Sequence, residues 1–259
     1  MHPADWRLIN GDLFEALPAR LGRARSNATA RALAQADWLI RRKSDGRFLA
    51  VRRGDVAREL QRGALSTPMH GELLALAEAD AAGEALRPLT GLVERLHALG
   101  LDEQEYRQRT GLALVAEPHT LAFAGRDRYQ RPLWLTRASA HAWRRMTAAA
   151  RGDGIVLQAI SGYRSHDYQL GIFRRKLARG QDVEAILQVN AAPGFSEHHS
   201  GRALDIGAPG DAPAEESFEN TAAFRWLQAH AGEFGLTMSY PRDNAHGIVY
   251  EPWHWMHSA

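Results

Sequence analysis

Ser196-Glu197-His198-His199-Ser200-Gly201-Arg202-Ala203-Leu204-Asp205, followed later by Glu251-Pro252-Trp253-His254, decides how the rest of this 259-residue sequence is read. A hydrolytic zinc centre takes three ligands from His and Asp/Glu, leaves a fourth position open, and needs a nearby carboxylate to accept a proton. His198, Asp205 and His254 can supply such ligands, and Glu251 such a base. The residue types alone leave a second reading open. Of the 12 histidines, those at 198, 199, 230, 246, 254 and 257 crowd the end of the chain, and a surface rich in solvated or hydrogen-bonded histidine would have the same composition.

The spacing also constrains geometry. There is no His-Glu-x-x-His run, so base and third ligand do not share one helix. Pro252 disfavours a helical Glu251 and points to an extended or turning segment. Residues three apart in a strand face opposite sides, so Glu251 and His254 converge only if the segment bends or one lies beyond the strand end. The same parity separates His198 from Asp205, and Gly201 between them offers a backbone free to turn.

Ser196-x-His198-x-x-Gly201-x-Ala203-x-Asp205 with Glu251-x-x-His254 resembles the zinc D-alanyl-D-alanine carboxypeptidases of the VanY-like family, LAS-type metallopeptidases. The likeness extends to Ser161-Gly162-Tyr163-Arg164-Ser165, Gln169, Ala192-Pro193-Gly194-Phe195, Phe234-Gly235-Leu236 and Ser239-Tyr240-Pro241, across about the second half of the chain. It implies that His198, Asp205 and His254 hold Zn2+ and that Glu251 is the base. Arg164 would contact substrate, a guanidinium being suited to a free C-terminal carboxylate. Gln169 matches a substrate-binding position, and Ser196 would bind substrate or orient its loop. His199, His246 and His257 stand at non-ligand positions of the motif.

The implied activity is zinc-dependent removal of the C-terminal D-Ala from peptidoglycan peptides or precursors. Glu rather than Asp at the base position favours carboxypeptidases over the L-alanyl-D-glutamate endopeptidases of phage endolysins. A D-Ala-D-Ala dipeptidase, or another peptidoglycan peptidase, shares the metal motif. From a different class, a catalytically inactive zinc-containing module could bind cell-wall peptides; the presence of both Glu251 and Arg164 weighs against it.

Composition bounds the rest. A chain of 259 residues, 45% hydrophobic, can bury a substantial core as one large domain or two small ones. With no cysteine, disulfides and thiolate chemistry are excluded. A net charge of +2 and no recognisable motif argue against a nucleic-acid partner. No apolar run reaches the ~20 residues of a transmembrane segment, and Met1 to Trp6 lacks the features of a signal peptide. The expectation is therefore a cytoplasmic protein, or one of the periplasm or cell envelope if a leader was removed. Oligomeric state is not legible.

The expected fold class is α+β: a small, largely antiparallel sheet with flanking helices forms a peptidase domain over 116–259. A mostly helical region with a β-hairpin, of unassigned role, precedes it over 1–115. The hairpin joins Trp38–Arg41 to Arg47–Val51 across Lys43-Ser44-Asp45-Gly46. From Asp55 to about Val115 the pattern is Ala- and Leu-rich and reads as helix. The arginines around that hairpin read as a solvated strand edge in preference to a docking site. In the second half, Thr136, Ser165 and Thr221 cap helices, 182–189 forms another, and strands are expected at 155–160, 203–206, 236–240 and 248–256.

Overall fold

A computed structural model describes residues 6–61, 63, 71 and 79–258. The chain forms two compact units, Met1–Arg87 with Pro118–Phe123, and Pro88–Glu117 with Ala124–Ala259.

In the first unit, β1 (Arg7–Asn10), β2 (Phe14–Pro18), β3 (Trp38–Arg42), β4 (Phe48–Arg53) and β5 (Val56–Glu59) form an antiparallel sheet in the order β5-β4-β3-β2-β1. The start of β6 (Thr120–Arg126) pairs with β1, setting Leu121 opposite Leu8. The hairpin expected between Trp38 and Val51 is β3–β4. Its turn has Gly46 at φ 69°, and the Asp45 carboxylate accepts the Arg47 amide at 3.0 Å.

The sheet is larger than the sequence signals, and the described residues before Pro88 are chiefly strand where helix is expected. Helix α1 (Asn27–Ala34) starts at a Ser26 cap. Phe14–Pro18 and Val56–Glu59 are short and carry Leu, Ala and Glu, which favour helix by themselves. Cross-strand pairing and the shared core of Ile9, Phe14, Trp38, Ile40 and Leu49 override that preference. Most of 62–78, where helix is also expected, lies outside the described residues. Two of the arginines on this sheet are spent locally: Arg41 pairs with Glu15 at 2.6 Å, and Arg42 with Asp45.

The second unit carries the quoted motifs. Four of its strands, β8 (Gln158–Ser161), β9 (Ala203–Gly207), β10 (Leu236–Met238) and β11 (His254–His257), form an antiparallel sheet in the order β10-β11-β9-β8. The end of β6 neighbours β7 (Pro132–Leu135) in the other sheet. The helices are α2 (Leu92–His97), α3 (Glu103–Thr110), α4 (Arg137–Gly152), α5 (His166–Leu177), α6 (Val183–Gln188) and α7 (Ala222–His230). Thr136, Ser165, Asp182 and Thr221 each accept an amide three residues on, as N-caps do. Three strands are shorter than expected: β8 begins only at Gln158, β10 ends at Met238, and 248–253 is not strand. No helix among the described residues is long and apolar enough to cross a membrane.

Helices α2 and α3, which by sequence fall in the region before 116, pack inside the second unit. Leu96, Leu101, Tyr106 and Leu112 share a core with Phe173, Ile186, Phe195, Tyr240 and Ile248. The Tyr106 hydroxyl accepts the Ala192 amide at 3.1 Å, and its ring lies 4.7 Å from that of Phe195. The Ala192–Phe195 segment is buried throughout and needs apolar cover that its immediate neighbours do not supply. The compact units therefore do not follow the 115/116 division.

Gly194 marks this close approach. At φ 91° it occupies backbone space that side chains rarely adopt, and an added Cβ would lie 2.5 Å from Cδ2 of the buried Leu92. Replacing Gly194 with Ala is expected to destabilise the protein by about 1–3 kcal/mol, read from the shift of the urea midpoint.

Candidate metal centre

Strands β9 and β11 set Asp205 opposite His254. Facing residues of an antiparallel pair stand about 5 Å apart at Cβ, on one face of the sheet. Before β11 the chain turns: the His254 amide donates to the Glu251 carbonyl at 3.1 Å, and the Glu251 amide to the Tyr240 carbonyl at 3.0 Å. Pro252 sits at the second position of this turn, where its fixed φ is favoured. The Glu251 carboxylate is thereby brought 3.8 Å from His254 Nδ1. This is the bend that the parity of residues 251 and 254 demands.

His198 comes from a 3-10 turn, Glu197–Ser200, that ends with Gly201 at φ 68°. Its Nδ1 donates to the Gly162 carbonyl at 2.8 Å, which leaves the Nε2 lone pair free. That Nε2 lies 3.3 Å from Asp205 Oδ2, and His254 Nδ1 lies 3.1 Å from Asp205 Oδ1. All three side chains are buried, and one ligand atom from each lies within 4.8 Å of the others. Atoms bound 2.0–2.1 Å from one tetrahedral zinc are about 3.4 Å apart, so this donor set fits such an ion.

The electrostatics are those of a strongly coupled cluster. Burial pushes the Asp205 carboxyl up, but His198 and His254 outweigh it and hold its pKa well below the ordinary value. Burial opposes charge on His254, yet hydrogen bonds to Asp205 and Glu197 push its pKa up to about 10. His198 is held below the usual imidazole value, chiefly by burial. Glu251 is pushed up to about 7, first by burial, with His254 opposing and Asp205 reinforcing.

Glu197 is the residue that sequence reasoning passed over. Its Oε2 accepts from His254 Nε2 at 2.8 Å and from the Ser239 hydroxyl at 2.6 Å. A carboxylate on the far nitrogen of a ligand-type imidazole fixes the ring's tautomer and orientation, leaving Nδ1 to face the cluster. The signal was present in a glutamate directly before His198 and in the quoted Ser239. Only the fold brings them to His254.

The other expected residues also gather here. Arg164 Nη1 donates to Gln169 Oε1 at 3.1 Å, and Nη2 stands 3.6 Å from Asp205 Oδ2. Gln169, buried, uses its amide nitrogen on the Ala191 carbonyl at 2.9 Å and so acts as a strut behind the guanidinium. Ser196 lines the same cleft, with no hydrogen bond at its hydroxyl among the described residues. Tyr163 faces elsewhere and donates to Glu117 at 2.9 Å.

The rival histidines are engaged away from the cluster. His199 donates from Nδ1 to the Arg164 carbonyl at 2.6 Å and accepts the Gly194 amide on Nε2 at 3.0 Å. His246 Nδ1 bonds the Thr110 carbonyl, and His257 Nδ1 the Ser139 hydroxyl.

The centre opens into a cleft of ≈ 330 Å³. Arg164, Gln169, Ser196, Tyr240, Glu251 and Trp253 line it, together with Lys176, Val189, Asn190 and Val249 farther out.

Fold and cluster together define an α+β domain with a His/Asp/His donor cluster, of the kind that holds one metal ion, on an antiparallel sheet. The family model described as VanY, D-alanyl-D-alanine carboxypeptidase, matches residues 132–259. Those residues belong to the VanY-like, LAS-type family. The chain is similar to a putative carboxypeptidase, YodJ, of Bacillus subtilis (strain 168), 37% identical over 125 residues, covering 47% of this chain and 45% of the relative. It is also similar to a D-alanyl-D-alanine carboxypeptidase of Enterococcus faecalis (strain ATCC 700802 / V583), 35% identical over 118 residues, covering 41% and 42% respectively. The chain thus spans less than half the length of each of these two relatives. A crystal structure of a mutant vancomycin-resistance D,D-pentapeptidase VanY in complex with Zn(II) is 29% identical, with TM-score 0.42, covering 49% of this chain and 74% of that one.

Exchanging Glu197 for Gln keeps the shape and removes the charge behind His254. Zinc affinity, measured by competition with a chromogenic chelator, is expected to fall about 10- to 100-fold. Unchanged affinity would show that Glu197 does not orient the ring.

Proposed function

We propose that the protein is a zinc-dependent D-alanyl-D-alanine carboxypeptidase that removes the C-terminal D-Ala from peptidoglycan peptides or precursors. The observation that carries this reading is Glu251. A half-buried carboxylate with its pKa raised to about 7 stands 3.8 Å from a ligand-type imidazole, at the edge of a cleft that also holds an arginine. His198, Asp205 and His254 would hold the ion. When bound, zinc supplies Lewis acidity and lowers the pKa of water to about 7.

The chain's own residues do the rest. Glu251 takes a proton from the attacking water and returns it to the departing amine, a task suited to a carboxylate whose pKa lies close to working pH. Arg164, braced by Gln169, supplies the guanidinium that receives the free C-terminal carboxylate. Ser196 offers a hydroxyl to the peptide backbone. Lys176 and Val189 line the same cleft. The presence of Glu251 and Arg164 in the same cleft argues against a module that only binds.

Release of D-Ala from a D-Ala-D-Ala-ending muropeptide is expected from zinc-loaded protein and is expected to vanish on chelation. Glu251→Ala should lose about 10²- to 10⁴-fold in kcat while still binding zinc. No release from zinc-loaded wild type would refute the carboxypeptidase reading. Arg164→Lys keeps the charge but loses the fork, and is expected to raise KM for the free acid more than it lowers kcat.

A further inference from the structure

Outside the metal centre, Lys176 is the charged residue in the cleft lining among the described residues. It lies in the last turn of α5, where a cation also suits the helix dipole. Its neighbours Arg174 and Arg175 meet that need from exposed positions, whereas Lys176 is half-buried. Burial lowers the pKa of its ammonium, and no acidic side chain offsets this. The cleft lining also includes the uncharged Val189, Asn190, Ala191, Ile248 and Val249. A cation partly stripped of water, with no ion-pair partner among the described residues, is satisfied by an anion arriving from outside.

Position along the helix says where that anion sits. Gln169, which braces Arg164, and Lys176 are seven residues apart on α5 and both face the cleft. Seven helical residues span about 10 Å and return to nearly the same face. About three residues of extended peptide cover the same distance. A peptide anchored by its C-terminus near Arg164 and running along α5 brings its third residue from that end beside Lys176.

We propose that Lys176 is a specificity residue that receives a side-chain carboxylate on the residue preceding the two terminal alanines, so that the substrate class is a peptide acidic at that position. This rests on the carboxypeptidase reading of the cleft.

The test uses Nα-acetyl-X-D-Ala-D-Ala, with X as L-glutamate, L-norleucine or L-lysine, and the zinc-loaded full chain as wild type, Lys176→Met and Lys176→Glu. Wild type is expected to favour glutamate over norleucine about tenfold in kcat/KM, a difference of about 1.4 kcal/mol. Methionine, which keeps the apolar stem, should level that ratio, and glutamate should turn it toward the lysine peptide. A glutamate preference that survives in Lys176→Met overturns the inference. An equal loss on all three peptides also overturns it, because that assigns Lys176 to the terminal carboxylate.

If wild type releases D-Ala from none of the three, the carboxypeptidase reading itself fails. The same peptides are then titrated calorimetrically into zinc-loaded Glu251→Ala protein with and without Lys176→Met. A glutamate preference lost with Lys176 supports the subsite, and equal affinities overturn it.

Discussion

Asp205 is a carboxylate held at 7% exposure, and a buried negative charge is costly unless hydrogen bonds or cations surround it. Here Ser161, His198, His254 and Arg164 all turn toward it. Each arrives on a different element: a strand end, a 3-10 turn, the facing strand and a helix-capping loop. That single charge accounts for why four separated pieces of chain converge. The convergence gathers three donors of the kind that hold a divalent ion.

The support behind the cluster follows the same economy of contacts. Glu197 and Ser239 hold the far nitrogen of His254, the Gly162 carbonyl holds that of His198, and Gln169 holds the arginine. His199 is absorbed into the backbone of the loops beside the cluster, bonding Arg164 and Gly194. Beneath them, α2 and α3 cover Phe195 with apolar surface and so fix the segment that leads into Ser196. Ring orientation in the centre therefore depends on packing against helices that, in sequence, lie far upstream.

The candidate donors were legible through the family resemblance and not from residue types alone, because they stand in short local runs around Gly201 and Pro252. The helix starts were legible for the same reason: Thr136, Ser165, Asp182 and Thr221 act on amides only three residues away. The first unit was less legible. Its strands β1, β2 and β5 are short and contain residues content in helices, and strand identity came from partners distant in the chain. The same non-locality hid the grouping of 88–117 with the second unit.

By itself the sequence determined that donors of the right type stand at His198, Asp205, Glu251 and His254, and that Gly201 and Pro252 favour a turning backbone beside them, since those facts rest on chemical type and local sterics. Only the tertiary structure decided that Asp205 faces His254 across two strands, that Glu197 rather than His199 engages the ligand ring, and that Lys176 shares a cleft with Arg164. These are matters of strand register and of one helix face meeting a loop. Register and packing are set by contacts between residues far apart in the chain, which no local pattern encodes.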